Sequence, residues 1–311
     1  MTMHRQSKES LARRVAAIAF LLCLVLPHGG ARAEDRVASF LSIPVDVAGA
    51  GMGGADVARS LSGIAPFSNP AGAVARRSGL GLTHGIWLAE QTVDALTVQL
   101  PLQQGRGGLA LMGRMVRHAS VPRFDAGGAR LTSLEPNDLS VGLAYAARLG
   151  RFRVGVGAHY LQENLDIAKG TGFAYDLGVL MDVGPVRLGA AGTSLLGSLD
   201  YEGESYDIPQ RVALGASFRP GWREVELTAQ FSDRRYGDQD VSFGVEWTGL
   251  RGALSLRGGY VALTESGASE SFSPYRFGFT VGAASLALDY AYVPHETLGQ
   301  AHLIALRWTG R

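Results

Sequence analysis

One glycine-rich stretch organises the interpretation of this chain: residues 36–77 read RVASFLSIPVDVAGAGMGGADVARSLSGIAPFSNPAGAVARR. Its four glycines between residues 49 and 54 allow close backbone approach and unusual dihedral angles, and Pro70 disfavours a helical conformation at Asn69. We predict a compact unit of turns, with a short amphipathic helix over 55–62, that packs inside a larger structure. The residues assigned to this unit, here called the plug, are Gly49, Gly51, Gly53, Gly54, Asp56, Asn69, Pro70, Ala71 and Gly72.

The segment before the plug has the three parts of a secretory signal. A basic stretch ends at Arg14, an apolar run covers 15–26, and Ala31 and Ala33 supply small residues at a cleavage site. The apolar run is too short for a spanning helix, which needs about 20 residues. We therefore predict export with cleavage after Ala33. The single cysteine, Cys23, would be lost with the signal, which leaves no disulfide framework. The remaining chain is slightly acidic, which argues against a nucleic-acid partner.

After the plug, apolar and small or polar residues alternate with a period of two. Tyr175, Leu177 and Val179, for example, alternate with Asp176 and Gly178. Strict alternation predicts strands. Fourteen segments are predicted, at 79–88, 91–101, 106–117, 137–149, 151–163, 172–183, 185–194, 209–219, 222–232, 240–249, 252–264, 272–282, 284–293 and 299–309.

The connections and the charge pattern favour a membrane barrel. Links after even-numbered segments are brief, whereas most links after odd-numbered segments are longer and polar, which is the outer-membrane layout. The apolar rows carry almost no charge, and aromatic residues lie near segment ends. The alternative is a soluble β-sandwich or barrel with the apolar rows turned inward. We predict an all-β transmembrane antiparallel barrel over 78–311, with the plug (34–77) in its lumen and a signal peptide at 1–33.

Several charged residues fall on the polar rows and are candidates for lining the lumen. They are Arg148, Arg153, His159, Asp176, Asp182, Glu224, Glu226, Arg257, Arg276 and Asp289. Glu224 and Glu226 are predicted to share one strand face. Glycines of the third segment (107, 108 and 113) either open a lateral gap in the wall or pack against the plug.

The motif AGAGMGGAD (48–56), followed by FSNPAG (67–72) and the strands, resembles the FadL superfamily of outer-membrane transporters. It resembles the PorV/PorQ family of outer-membrane proteins more closely, although Ser68 stands where relatives often carry an aromatic residue. The FadL resemblance implies that a hydrophobic ligand enters from outside, shifts the plug and leaves laterally or downward. The PorV resemblance implies the alternative of an interaction component of a type IX-like secretion and surface-attachment system. An open porin is a third reading.

Other chemistry is poorly supported by the sequence. The plug contains G-x-G-x-x-G at 49–54, but no βαβ unit follows, so nucleotide binding is not predicted. The histidines at 84, 118, 159, 295 and 302 lack metal-ligand spacing and are predicted to lie in loops or the lumen. No G-x-S-x-G motif is present. We expect no catalytic residues, metal or cofactor; the expected partners are membrane lipid, a hydrophobic small molecule and secretion-system proteins.

Overall fold

A computed structural model describes residues 37–59, 63–222, 224–235, 239–263, 272–283, 285–296 and 298–310. The predicted signal peptide (1–33), the first plug residues (34–36) and residues 60–62 lie outside these ranges. Among the described residues, no helix has the length and apolar character needed to cross a membrane.

The chain forms a closed antiparallel barrel of fourteen long strands, which confirms the predicted fold class. Three further strands are short and lie in connections: β4 (Val121–Phe124), β5 (Arg130–Leu134) and β10 (Glu204–Asp207). Closure comes from pairing of the first strand with the last, from Gly79 opposite Thr309 to Ile86 opposite His302. In chain order the strands are β1 (Gly79–Ile86), β2 (Thr92–Leu102), β3 (Gly107–Arg117), β4 (Val121–Phe124), β5 (Arg130–Leu134), β6 (Asn137–Leu149), β7 (Phe152–Asn164), β8 (Lys169–Val183), β9 (Val186–Tyr201), β10 (Glu204–Asp207), β11 (Arg211–Phe218), β12 (Val225–Arg234), β13 (Asp240–Gly249), β14 (Leu254–Leu263), β15 (Tyr275–Ala283), β16 (Leu286–His295) and β17 (Gly299–Thr309).

Connections of different length define the two ends of the barrel. The longer ones, such as 118–136 between β3 and β6, lie at one end, here called the loop end. The brief ones, such as 150–151 and 184–185, lie at the other end together with the start of β1 and the end of β17; this is the turn end.

The β8–β9 hairpin differs most from the sequence prediction. Both strands run further toward the loop end than expected, and the predicted loop 197–208 contains the end of β9 and all of β10. An irregularity in the pairing near Tyr175 and Leu177 accommodates the extension. Beyond Thr193, β9 no longer pairs with β11. The hairpin therefore projects past its β11 neighbour at the loop end.

The two faces of the wall have opposite polarity. Side chains on the outer face of the wall, such as Leu177 (51% exposed), Phe243 (49%) and Leu143 (49%), are apolar and are not covered by other parts of the protein. Inward positions hold buried small, polar and charged residues, including Gln99, Arg153 and Glu226. The alternative of a soluble barrel with its apolar rows turned inward is therefore wrong.

The plug lies within the ring of strands as a series of short turns. One helical turn (Val47–Ala50) contacts β15, β16 and β17, and a 3-10 turn (Pro70–Ala73) contacts β2, β3 and β6 to β8. The side chains of Asp46 and Asn69 accept hydrogen bonds from Gly49 N and Ala71 N at the starts of these turns, since such oxygens satisfy free N–H groups. The helix predicted over 55–62 is wrong for its described part, where residues 55–59 form only a turn.

Candidate functional site in the barrel lumen

Wall glycines give the plug backbone the space it occupies. A Cβ placed on Gly155 of β7 would lie 2.3 Å from Ala71 N, and one on Gly259 of β14 would lie 2.2 Å from Gly53 N. Real Cβ atoms do not approach backbone this closely, so these positions require glycine for the plug to remain where it is. In β3, a Cβ on Gly108 would lie 1.8 Å from Ala73 O. β3 pairs without interruption on both sides, so its glycines form no lateral gap.

Two inward-facing glutamines connect the wall to the plug backbone. On β12, Gln230 Oε1 accepts from Val57 N (2.8 Å) and Asp56 N (3.0 Å), and its Nε2 donates to Gly54 O (2.7 Å). On β2, Gln99 Oε1 accepts from Gly63 N (2.8 Å), and its Nε2 donates to Gly72 O (2.7 Å). Each amide thereby satisfies backbone groups that no regular helix or strand would satisfy.

Asn69 and Ser68 join the second part of the plug, after residue 62, to Asp56 and Val57 of the first part. Asn69 is fully buried, and its Nδ2 donates to Val57 O (2.9 Å), and more weakly to wall carbonyls of β8 and β9. Ser68 Oγ donates to Asp56 Oδ2 at 2.7 Å. Ser68, where the PorV/PorQ resemblance leads one to expect an aromatic residue, is therefore part of the hydrogen bonding inside the plug.

Arg59 forms an ionic connection from the plug to the wall, in addition to the longer pair of Asp56 with Arg211 (4.0 Å). Its Nη2 lies 2.8 Å from Glu246 Oε2 and 3.4 Å from Glu226 Oε2, and all three side chains are buried. The network continues along the wall toward the turn end: Glu246 also binds Arg257, which lies near Asp289 (3.4 Å), and Asp289 binds Arg307. Alternating charges in contact compensate one another in a space where an isolated charge would be very costly.

The half of the lumen nearer the loop end has a different character. Phe40, Ile43, Val45 and Val47 of the plug pack there against the wall. The wall residues of this cluster are mostly aliphatic, and they come from the loop-end halves of β2, β3, β7 to β9, β16 and β17. They include Val93, Val116, Leu161, Leu199, Val293 and Leu303. An apolar cluster thus occupies part of the loop-end half of the lumen, beside buried charged groups such as Arg114 and Asp138, and the ion-pair network lies toward the turn end.

The predicted plug residues occupy defined positions. Gly49 lies beside the carboxylates of Asp46 and Asp56, and Gly51 contacts the backbone of Gly278. Gly53 and Gly54 have φ values of +74° and +78°, which L side chains rarely adopt. Pro70, Ala71 and Gly72 form the buried turn against β7 and β8.

Of the predicted lumen charges, three belong to the network already described: Glu226, Arg257 and Asp289. His159 Nε2 lies 2.8 Å from Asp176 Oδ2 on the inward face. At the turn end, Arg153 lies 3.4 Å from Asp182, which also pairs with Arg187.

The remaining three predicted charges lie at strand ends. Arg148 is exposed near the turn-end rim, and Arg276 donates to backbone carbonyls at Ser273 and Tyr275 near the loop end. The pairing of Glu224 with Glu226 on one strand face is wrong, because β12 begins only at Val225. Glu224 is exposed in the preceding turn, where its carbonyl accepts from Thr248 N.

Sequence reasoning missed Arg59, through which the plug contacts the wall, and four wall residues that contact the plug: Gln99, Gln230, Glu246 and Arg114 (which donates to Phe40 O and Leu41 O). Position on an inward row would have indicated the four wall residues. Arg59 carried a signal of its own, since it is the only basic residue between Arg36 and Arg76.

Two histidines are also placed differently from the prediction. His84 of β1 and His302 of β17 lie on outward rows, between apolar neighbours, and not in loops or in the lumen. His302 Nδ1 shares a hydrogen bond with Tyr290 OH (2.8 Å) on the adjacent strand.

The architecture matches solved FadL-type barrels. The crystal structure of a Pseudomonas aeruginosa FadL homologue gives a TM-score of 0.55 at 11% identity, covering 86% of this chain and 98% of that one. The P. putida toluene transporter TodX gives 0.54 at 12% identity, covering 84% and 95%. No protein-family model matches the sequence, and no curated protein matches it. At these identities the likeness establishes the FadL-like fold alone, and the PorV/PorQ resemblance stays a prediction.

Proposed function

We propose that this chain is an outer-membrane barrel that binds hydrophobic molecules and passes them inward. The observation that carries the proposal is the apolar cluster in the loop-end half of the lumen, formed by Phe40 and its aliphatic neighbours. A hydrophobic molecule arriving from the loop end can replace these plug side chains against the same wall, because apolar burial is non-directional. The FadL-like fold and the exposed apolar rows support the membrane location.

The fold neighbours are consistent with this class of cargo. One solved relative in fold is a toluene transporter, and a mutant of it is described as a monoaromatic hydrocarbon channel. For this chain we propose the class only: a small, uncharged or weakly amphipathic hydrophobic molecule. The proposal assigns no catalytic step to the chain.

The test is permeability in proteoliposomes. We would compare uptake of a fluorescent hydrophobic probe and swelling by a small polar solute for wild type, for a deletion of Ser39–Ala75, and for protein-free vesicles. Wild type should take up the probe above the protein-free level while excluding the polar solute, and the deletion should admit both. Wild-type uptake equal to that of protein-free vesicles would refute the transport proposal.

A second candidate is a protein-interaction role of the kind that PorV relatives have in type IX-like secretion. It is favoured by the β4–β5 hairpin at the loop end, where Phe124 (61% exposed), Val121 and Leu131 present apolar side chains. A double change, Phe124→Ser with Leu131→Ser, should abolish co-purification with secretion components while leaving probe uptake unchanged. Failure of wild type to co-purify with any such component would reject this role.

A further inference from the structure

A charged cluster lies on the outward surface of the first three strands. Asp94 Oδ1 of β2 lies 2.8 Å from Nδ1 of His84 on β1, and its Oδ2 accepts from Arg117 Nη1 of β3 at 2.7 Å. The side chains are 59% (His84), 38% (Asp94) and 54% (Arg117) exposed. Charges on the lipid face of a barrel are destabilising, so outward rows are normally kept free of them. Ionisable groups retained in such a position are a functional hypothesis by default.

An apolar groove of about 570 Å³ runs from this cluster toward the turn end. His84 and Asp94 border it at the loop end, and its remaining lining is mainly outward aliphatic residues, among them Leu82, Leu96, Leu288, Ile304 and Leu306. Gly113 of β3 contributes depth, because a Cβ placed there would meet no atom within 4 Å. The surface therefore combines an elongated apolar depression with a polar group at one end.

A second groove on the wall provides an internal comparison. It has a volume of about 600 Å³ and lies across β12, β13 and β14, with Leu227, Phe243 and Val245 in its lining. Gly258 occupies the position corresponding to Gly113, since its Cβ would meet only a Val245 methyl group at 3.8 Å. No charged residue lines this groove. The charged cluster is therefore specific to the groove beside β1 to β3.

We propose that the cluster and its groove bind one phosphate-bearing lipid of the surrounding leaflet. The acyl chain would lie along Leu82, Leu96 and Gly113, and the phosphate would face Arg117, which Asp94 links to His84 at the end of the groove. Both carboxylate oxygens of Asp94 are occupied by these two residues. In the described part of the chain, the second terminal nitrogen of Arg117 makes no hydrogen bond, so a cationic donor remains for an anion. The guanidinium fork matches phosphate geometry.

This inference rests on the proposed membrane location but not on transport, and its test separates the two. Full-length protein in a neutral detergent, stripped of lipid, would be titrated with dioleoyl phosphatidylglycerol, with dioleoylglycerol and with inorganic phosphate, and bound molecules would be counted by native mass spectrometry. Wild type should bind one phosphatidylglycerol at least about tenfold more tightly than dioleoylglycerol, the factor for one charge-assisted hydrogen bond.

Three variants locate the site. Arg117→Gln should weaken phosphatidylglycerol binding about tenfold, and Gly113→Leu should weaken it by filling the groove, whereas the matched Gly258→Leu should bind as wild type does. Circular dichroism and melting confirm that each variant is folded; if Gly113→Leu is not, Gly113→Ala replaces it, with Gly258→Ala as its control. Three outcomes would overturn the proposal. They are equal binding of the two lipids, equal effects of the two glycine changes, and a protein dimer that forms without lipid and is lost in Arg117→Gln. Probe uptake is measured separately, so loss of transport with retained lipid binding leaves this inference standing.

Discussion

Among the described residues of the plug, Arg59 is the one that forms ion pairs with the wall carboxylates Glu226 and Glu246. Replacing it by leucine leaves both carboxylates buried with one cation fewer, although Arg219 and Arg257 still pair with them. Breaking a buried pair typically costs about 3–5 kcal/mol, and we expect the lower end of that range here. Arg59→Leu should lower the melting temperature in detergent and speed proteinase K cleavage within 37–77. The exposed turn residue Arg251, changed to leucine, is the control; equal melting of the two variants would contradict the assignment.

Adjacent glycines on β14 test whether the wall requires glycine where the plug approaches. Gly259→Ala places a methyl group 2.2 Å from Gly53 N and should destabilise the folded protein by about 1–3 kcal/mol, as overpacking does. Gly258→Ala points outward into open space and should be close to neutral. Thermal melting of both variants measures the difference. If Gly259→Ala has the same melting temperature as Gly258→Ala, the plug does not lie against β14 as described.

His118, in the connection after β3, gives a pH-dependent contribution to stability. Its Nε2 lies 2.7 Å from Asp138 Oδ2, and this hydrogen bond raises the pKa of His118 above its ordinary value of 6.5. A group whose pKa is raised by folding contributes its full stabilisation at pH values below its pKa in the unfolded chain. This stabilisation is lost as the pH rises through its pKa in the folded protein. Wild-type melting temperature should therefore fall between pH 6 and pH 8.5 by more than that of His118→Gln. Parallel curves for the two proteins would show that the ion pair contributes nothing.

At the scale of elements, β2 and β12 hold the plug through Gln99 and Gln230. A double change of both to leucine keeps the approximate volume but leaves buried plug N–H groups without acceptors, at about 1–3 kcal/mol each. We expect faster hydrogen exchange at the Val57 and Gly63 amides, which these glutamines bind. The exposed turn residue Gln103, changed to leucine, serves as control. Unchanged exchange at both amides would mean that other contacts suffice to hold the plug.

The element scale also explains what the sequence could predict. The period-two alternation located all fourteen barrel strands, because one face of each strand meets apolar surroundings and the other meets the plug. It did not locate the ends of β8 and β9, whose pairing with each other continues beyond the barrel wall through an irregular register. Glu224 continued the alternation of β12 but lies in the preceding turn. The ends of these strands are decided by hydrogen bonding to neighbouring strands. The apolar–polar alternation within a single strand does not show which neighbour it pairs with or where that pairing stops.

The candidate site was predictable in composition but not in contacts. The glycine run and the Asn69–Pro70 sequence indicated a compact plug, and isolated polar-row charges indicated the lumen. The partners of Arg59, 167 and 187 residues away in sequence, depend on which strands the plug turns reach. His84 and His302 break the rule that outward rows are apolar, so alternation alone could not assign them a role.

For the whole molecule, the two halves of the lumen hold the plug by different forces. Toward the turn end, ion pairs and amide hydrogen bonds fix residues 54–59 and 63–72 by direction and distance. Toward the loop end, apolar side chains of residues 37–50 pack against the wall, while Arg114, Thr83 and Glu163 hydrogen-bond to the backbone of the same segment. On the proposed function, a ligand would displace apolar side chains of the loop-end part of the plug while the turn-end contacts stay in place.

This division predicts opposite effects for two polar changes in the lumen. Leu303→Gln places an amide among the loop-end aliphatic residues, where an unpaired polar group costs about 1–3 kcal/mol. If about 1.4 kcal/mol of this cost is lost from the binding free energy of a hydrophobic probe, uptake of the probe should fall by roughly tenfold. Glu246→Gln instead removes a charge that Arg59 and Arg257 both contact, so it should loosen the plug, raise swelling by a polar solute and leave probe uptake near the wild-type level. Both variants must first match wild type in circular dichroism. Equal changes in the two permeabilities for both variants would mean that the lumen acts as one uniform pore, because only an apolar cluster that acts separately from the ion-pair network allows the two effects to be uncoupled.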